Sequence, residues 1–229
     1  MDLRTRTAVV TALGLLLAAP FALASGGGPV TSPQIPPAAQ TPEDQAHDAY
    51  NAGVRQIHKA DDAMADAAKA TDPARLQKAQ DRAREYFGNA QKQFEHATDL
   101  VPGFYQAWNY VGYCKRNRGD FTGALAAYDR ALSLNPGYAE AIEYRAHAYL
   151  GLQRIGDAKD AYLALFAADR KLAGKLLAAM KSWVSGQRAA PSAAAATGLD
   201  EFSQWIDERG RIAAQTAGLA PQGAGARWP

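Results

Sequence analysis

The sequence predicts an all-α fold: an α-solenoid of about three antiparallel helical hairpins, the first elongated, with a capping helix and an additional C-terminal amphipathic helix. Three observations carry this. Ala90, Phe94, Ala97 and Pro102 stand one period of 34 residues before Ala124, Tyr128, Ala131 and Pro136, so one structural unit recurs. Apolar and small residues between these positions keep three- and four-residue steps, the spacing of one helix face. Turn formers separate the stretches, at Asp72-Pro73, Gly119-Asp120 and Pro136-Gly137.

Taken in order, residues 1–24 stand outside the fold. Arg4 and Arg6 precede an apolar run from Ala8 to Ala19, Pro20 breaks it, and Ala22-Leu23-Ala24 supplies small residues at a cleavage point. This reads as a secretory signal cleaved after Ala24, which places the protein in the periplasm or the medium. The alternative is a membrane anchor through the uncleaved segment, against which the run is shorter than the roughly 20 residues of a spanning helix. Residues 25–41, rich in Gly and Pro, read as a flexible linker. At Pro42 the composition turns to helix formers: Thr41 is placed to cap, Pro42 suits the first helical position, and Glu43 and Asp44 suit the first turn. Tyr50-Asn51-Ala52-Gly53 opens a repeat whose second half waits until Ala90 to Pro102. The intervening Ala60, Met64, Ala67 and Ala68, then Leu76, Ala79 and Ala83, stay in helical register. The first unit, 42–104, is therefore a hairpin of prolonged helices.

The central unit, 105–138, is the clearest. Trp108, Val111 and Gly112 share a stripe; Gly112 is small because the second helix crosses close by. Gly119 suits the left-handed end of the first helix, Asp120 the cap of the next, and Ala124, Tyr128 and Ala131 face back before Pro136 stops the helix. At Trp108, Gly112, Gly119-Asp120, Ala124, Tyr128, Ala131 and Pro136 the sequence resembles the tetratricopeptide repeat family, whose hairpins stack because none buries its apolar face alone. The unit at 139–170 continues with Ala139, Ala146, Tyr149, Ala158 and Tyr162, but Arg145, Leu165 and Arg170 replace an aliphatic residue, an alanine and the terminal proline of that pattern. Residues 171–186, with Leu172, Leu176, Leu177, Met180 and Trp183-Val184, read as a helix capping the stack, completing a domain over 42–186. An Ala/Pro linker at 187–198, an amphipathic helix at 199–217 carrying Leu199, Phe202, Trp205 and Ile206, and a disordered tail at 218–229 follow.

Composition narrows the function. A net charge of +2 without a basic run argues against nucleic acid. Cys114 is the single cysteine and excludes an internal disulfide. The histidines, His47, His58, His96 and His147, form no metal-ligand spacing; His58 with Asp62 supplies at most two ligands, and the pair reads as a solvated face. No nucleophile elbow, phosphate loop or Cys-x-x-Cys is present, so no catalytic, cofactor or metal residue is assigned.

The resemblance implies a surface. In such repeats the inner faces of the first helices line a concave groove, which here places Gln106, Asn109, Tyr113, Arg116 and Asn117 in the central unit and Glu140, Glu143, His147 and Leu150 in the next. The Lys/Asn/Arg clamp by which some relatives hold a carboxylate tail is not reproduced: Glu140 and Tyr144 stand where cations belong. The expectation is a non-enzymatic scaffold holding a protein or peptide partner. Its rivals are a self-associating or self-capped structural subunit, a homodimer included, whose helix 199–217 folds onto the groove or a second copy, and an enzyme with an unrecognised site.

Overall fold

The computed structural model describes residues 40–189 and 198–217. The expected signal segment 1–24, the linker up to residue 39 and the tail 218–229 lie outside the described residues. Eight helices follow one another: α1 (Pro42–Lys69), α2 (Pro73–Leu100), α3 (Tyr105–Asn117), α4 (Phe121–Leu134), α5 (Ala139–Gly151), α6 (Ile155–Ala168), α7 (Arg170–Ala189) and α8 (Leu199–Thr216). No strand occurs among the described residues.

The helix ends are where the local chemistry puts them. The Thr41 hydroxyl accepts from the Asp44 N–H at 3.1 Å while the Asp44 carboxylate accepts from the Thr41 N–H at 3.1 Å, a reciprocal cap ahead of Pro42. The Thr41 hydroxyl also donates to the Asp44 carboxylate at 2.9 Å, and this bond, with that from the Thr41 N–H, holds the Asp44 carboxyl below its ordinary pKa. Asp72 caps α2 by accepting from the Arg75 N–H at 2.9 Å, and Asp120 caps α4 by accepting from the Gly123 N–H at 2.8 Å.

Alanines dominate the buried faces of the first hairpin, Ala46, Ala49, Ala60, Ala63 and Ala67 on α1 and Ala79, Ala83, Ala90 and Ala97 on α2, so two 28-residue helices close on each other with few large side chains between them. The periodic aromatics fill what remains. Phe94, Tyr128 and Tyr162, each 34 residues from the next, are all essentially inaccessible. The Phe94 ring covers Gly53, where a Cβ would sit 2.7 Å from it, and the Tyr128 ring covers Gly112, where the distance would be 2.6 Å. Gly112 is thus small as expected, with the neighbour an aromatic ring. Trp108 is half-buried and its indole N–H donates to the Pro102 carbonyl at 3.1 Å.

Each hairpin packs on the next mainly through its second helix, α2 on α3, α4 on α5 and α6 on α7, with α3 also meeting α5 and α5 meeting α7. The helix expected to cap the stack at 171–186 runs from Arg170 to Ala189, so residues 187–189 are helix where a linker was expected, and 190–197 lie outside the described residues. Asp169 starts α7 by accepting from the Leu172 N–H at 2.9 Å. α7 packs on both α5 and α6, and α8 packs on α7, so the two helices extend the ladder as a fourth, irregular pair. Leu199, Phe202 and Ile206 are buried there, and Trp205 meets Tyr162 edge-on at 5.4 Å. Arg170, in place of the terminal proline, lays its guanidinium 3.5 Å above the Phe166 ring and donates to the Thr216 hydroxyl at 3.0 Å. No described helix is long and apolar enough to cross a membrane.

Candidate binding groove

The nine residues expected to line the groove divide by burial. Gln106, Tyr113, Arg116, Asn117 and His147 are half-buried and Glu140 is exposed. Asn109 at 1 %, Glu143 at 7 % and Leu150 at 3 % exposure are buried, contrary to the expectation that they present themselves. The cause is the packing of α3 against α2, α4 and α5 and of α5 against α4, α6 and α7, which covers the edge of each first-helix stripe. Asn109 and Glu143 are equivalent, 34 residues apart, and a polar side chain so placed needs a partner. Glu143 has one, its Oε1 lying 2.8 Å from His147 Nε2. Asn109 Oδ1 has none. Asn117 turns inward, its amide donating to the Tyr113 carbonyl at 2.8 Å.

The groove contains more tyrosine than the pattern alone indicated. Tyr50 on α1, Tyr110 and Tyr113 on α3 and Tyr144 on α5 form a continuous row, with ring centroids 5.6 Å (Tyr50–Tyr110), 6.2 Å (Tyr110–Tyr113) and 5.3 Å (Tyr113–Tyr144) apart. Phe94 stacks on Tyr110 at 4.8 Å and anchors the row to the core. Burial pushes the hydroxyls of Tyr50 and Tyr113 up to about 12; at Tyr113 the Asp61 carboxylate adds to the rise and Arg116 opposes it. Burial raises Tyr144 as well. A protonated tyrosine hydroxyl can both donate and accept a hydrogen bond.

Arg116 closes one end of the row. Its guanidinium lies 5.2 Å from the Tyr113 centroid and 5.9 Å from that of Tyr144. It also stands near the Tyr128 hydroxyl, where its charge opposes the upward push of burial, yet neither that hydroxyl nor Arg116 Nε completes a hydrogen bond. Beyond it a pocket of about 430 Å³ is lined by Arg116, His147, Leu150, Phe121, Trp183 and Gln187, with Gly151 and Ala179 between them. Tyr50, Tyr110, Tyr144, Trp183 and Gln187 were not among the expected lining. Tyr110 and Tyr144 stand one position beyond Asn109 and Glu143 on the expected stripe, whereas Trp183 and Gln187 depend on α7 taking a first-helix place that its sequence does not announce.

Cys114 is fully buried and its thiol is pushed upward, chiefly by burial. His58 and Asp62 are exposed, and no cluster of three or more potential metal ligands occurs among the described residues.

A model of the tetratricopeptide repeat matches residues 105–138, the α3–α4 hairpin with its flanking turns. The central hairpin is a tetratricopeptide repeat. No curated protein sequence matches the chain. Tetratricopeptide repeats serve generally as scaffolds for protein–protein contact, and helices packed like this one's hairpin continue on both sides of it.

Proposed function

We propose that this protein is a non-enzymatic scaffold, exported by its N-terminal segment, that holds an extended polypeptide on the tyrosine-lined face of α3 and α5. The observation that carries this is the unbroken row Tyr50–Tyr110–Tyr113–Tyr144. Tyrosine offers large contact area with few rotatable bonds and a hydroxyl that pairs with either backbone group, which suits a chain read mainly through its main chain. Gln106 and Glu140 add adaptable polar contacts beside the row. The exported location is supported by Arg4, Arg6, the Ala8–Ala19 run and Ala22-Leu23-Ala24.

The test is site-specific photocrosslinking in the producing cell. A photoreactive phenylalanine analogue at Tyr113 or Tyr144 is expected to capture the same one or few polypeptides, in the exported fraction, and the same analogue at exposed Arg130 to capture none of them. Equal capture from Arg130, or no adduct from either tyrosine position, overturns the reading; adducts confined to the cytoplasmic fraction overturn the location alone.

A further inference from the structure

Arg116 differs from the arginines that are paired with a carboxylate. Arg145 pairs with Asp129 at 2.7 Å, Arg154 with Asp157 at 2.9 Å and Arg188 with Asp200 at 2.7 Å, but Arg116 makes no ion pair among the described residues. It is half-buried against the contacting pair of rings Tyr113 and Tyr144, and its Nε–H is shielded from water and unpartnered. A cation drawn partly out of water without a counter-ion is costly, and the cost falls when an anion arrives. A guanidinium meets a carboxylate through two parallel hydrogen bonds, a geometry that the tyrosine rings packed against Arg116 help to hold.

We propose that the pocket between α3, α5 and α7 receives a carboxylate group of the bound polypeptide, held by Arg116. The walls fit this ligand. Phe121, Leu150 and Trp183 offer apolar surface to a short aliphatic stem, and Gln187 sets an amide at the far side. Glu143, behind His147, places negative charge nearby; it opposes a dianionic phosphate more strongly than a single carboxylate. The site uses α7 and a position outside the cationic clamp that this sequence lacks. Because the pocket lies at one end of the tyrosine row, the carboxylate fixes the direction in which the chain lies. The inference rests on the groove reading, and the carboxylate belongs either to an acidic side chain or to a chain's C-terminus.

The experiment is an NMR titration of the full chain, following the Trp183 indole N–H, assigned by its loss in Trp183→Phe. The probes are N-acetylglutamic acid α-amide, N-acetylleucine with a free carboxylate, and the neutral N-acetylglutamine α-amide. At least one carboxylate probe is expected to give saturable shifts, about tenfold tighter than the neutral isostere, and to lose about tenfold in Arg116→Gln. The probe that saturates identifies the source. Should Arg116→Gln fail to fold, Gln187→Glu, which adds a negative charge to the pocket wall, is expected to abolish the same shifts. Binding of the glutamine probe as tight as the acids, carboxylate binding unchanged in a folded Arg116→Gln or in Gln187→Glu, or no saturable shift with any probe overturns the proposal. Crosslinks from Tyr113 that persist while the probes fail leave the groove standing and remove the subsite; probes that bind while crosslinks fail do the reverse.

Discussion

The α3–α4 and α5–α6 hairpins have the same backbone and different side-chain devices. α3 ends on Gly119 at φ 88°, its N–H donating to the Arg116 carbonyl at 3.0 Å and that of Asp120 to the Lys115 carbonyl at 2.9 Å. One period later α5 ends on Gln153 at φ 58°, with the Gln153 N–H donating to Leu150 at 3.0 Å and that of Arg154 to Tyr149 at 2.8 Å. The Asp120 cap has no counterpart: Arg154 makes no side-chain bond to the helix start and pairs with Asp157 instead. Gly112 under Tyr128 becomes Ala146 beside Tyr162, and both residues of each pair are buried. The lesson is that stacking against neighbours holds the repeat's shape, so the second hairpin keeps its geometry after losing the glycine, the cap and the proline that mark the first.

Four substitutions break or sharpen that contrast. The largest effect is expected from Gly112→Leu, because the added Cβ alone would fall 2.6 Å from the Tyr128 ring; overpacking of this kind costs about 1–3 kcal/mol, read as a lowered thermal midpoint. An unchanged midpoint would remove the ring from its place over α3. His147→Ala is expected to cost about 1–3 kcal/mol by denaturant titration, since it strips the buried Glu143 carboxylate of its partner, and adding Glu143→Gln should restore part of the loss. In the opposite direction, Gln153→Gly relieves a left-handed residue bearing a Cβ and is expected to stabilise by about 1 kcal/mol; no gain would mean that the Gln153 backbone is unstrained. Gln106→Ala, half-buried at the groove rim, should shift stability by less than about 0.5 kcal/mol while lowering partner capture.

Much of this was legible beforehand because the signals were local. Thr41-Pro42, Asp72-Pro73 and Gly119-Asp120 act through their own backbone neighbours, so the helix starts and the prolonged first hairpin follow from residues read singly. Burial in the groove was less legible, since it depends on how closely one hairpin sits on the next. Asn109 and Glu143 are polar residues on a stripe that reads as open, and the packing of α3 and α5 against their neighbouring helices covers them. α7 and α8 read as a cap and a separate amphipathic helix from their apolar spacing alone; what joins them is the buried face of Leu172, Leu176, Met180, Phe202 and Ile206. The groove's tyrosine row and its Trp183 wall are products of that same tertiary register.

The first hairpin's extra length has a consequence for how the molecule breathes. With 28 residues against 13 in α3, α1 is longer by about 22 Å at a rise of about 1.5 Å per residue. Toward the turn its interior is built of Ala67 and Ala79, and Met64 is left 47 % exposed. So little apolar surface favours local opening there, and amide hydrogen–deuterium exchange should run faster around residues 66–78 than at the hairpin's base beside Phe94, making the arm's end the first part of the protein to loosen without unseating the stack.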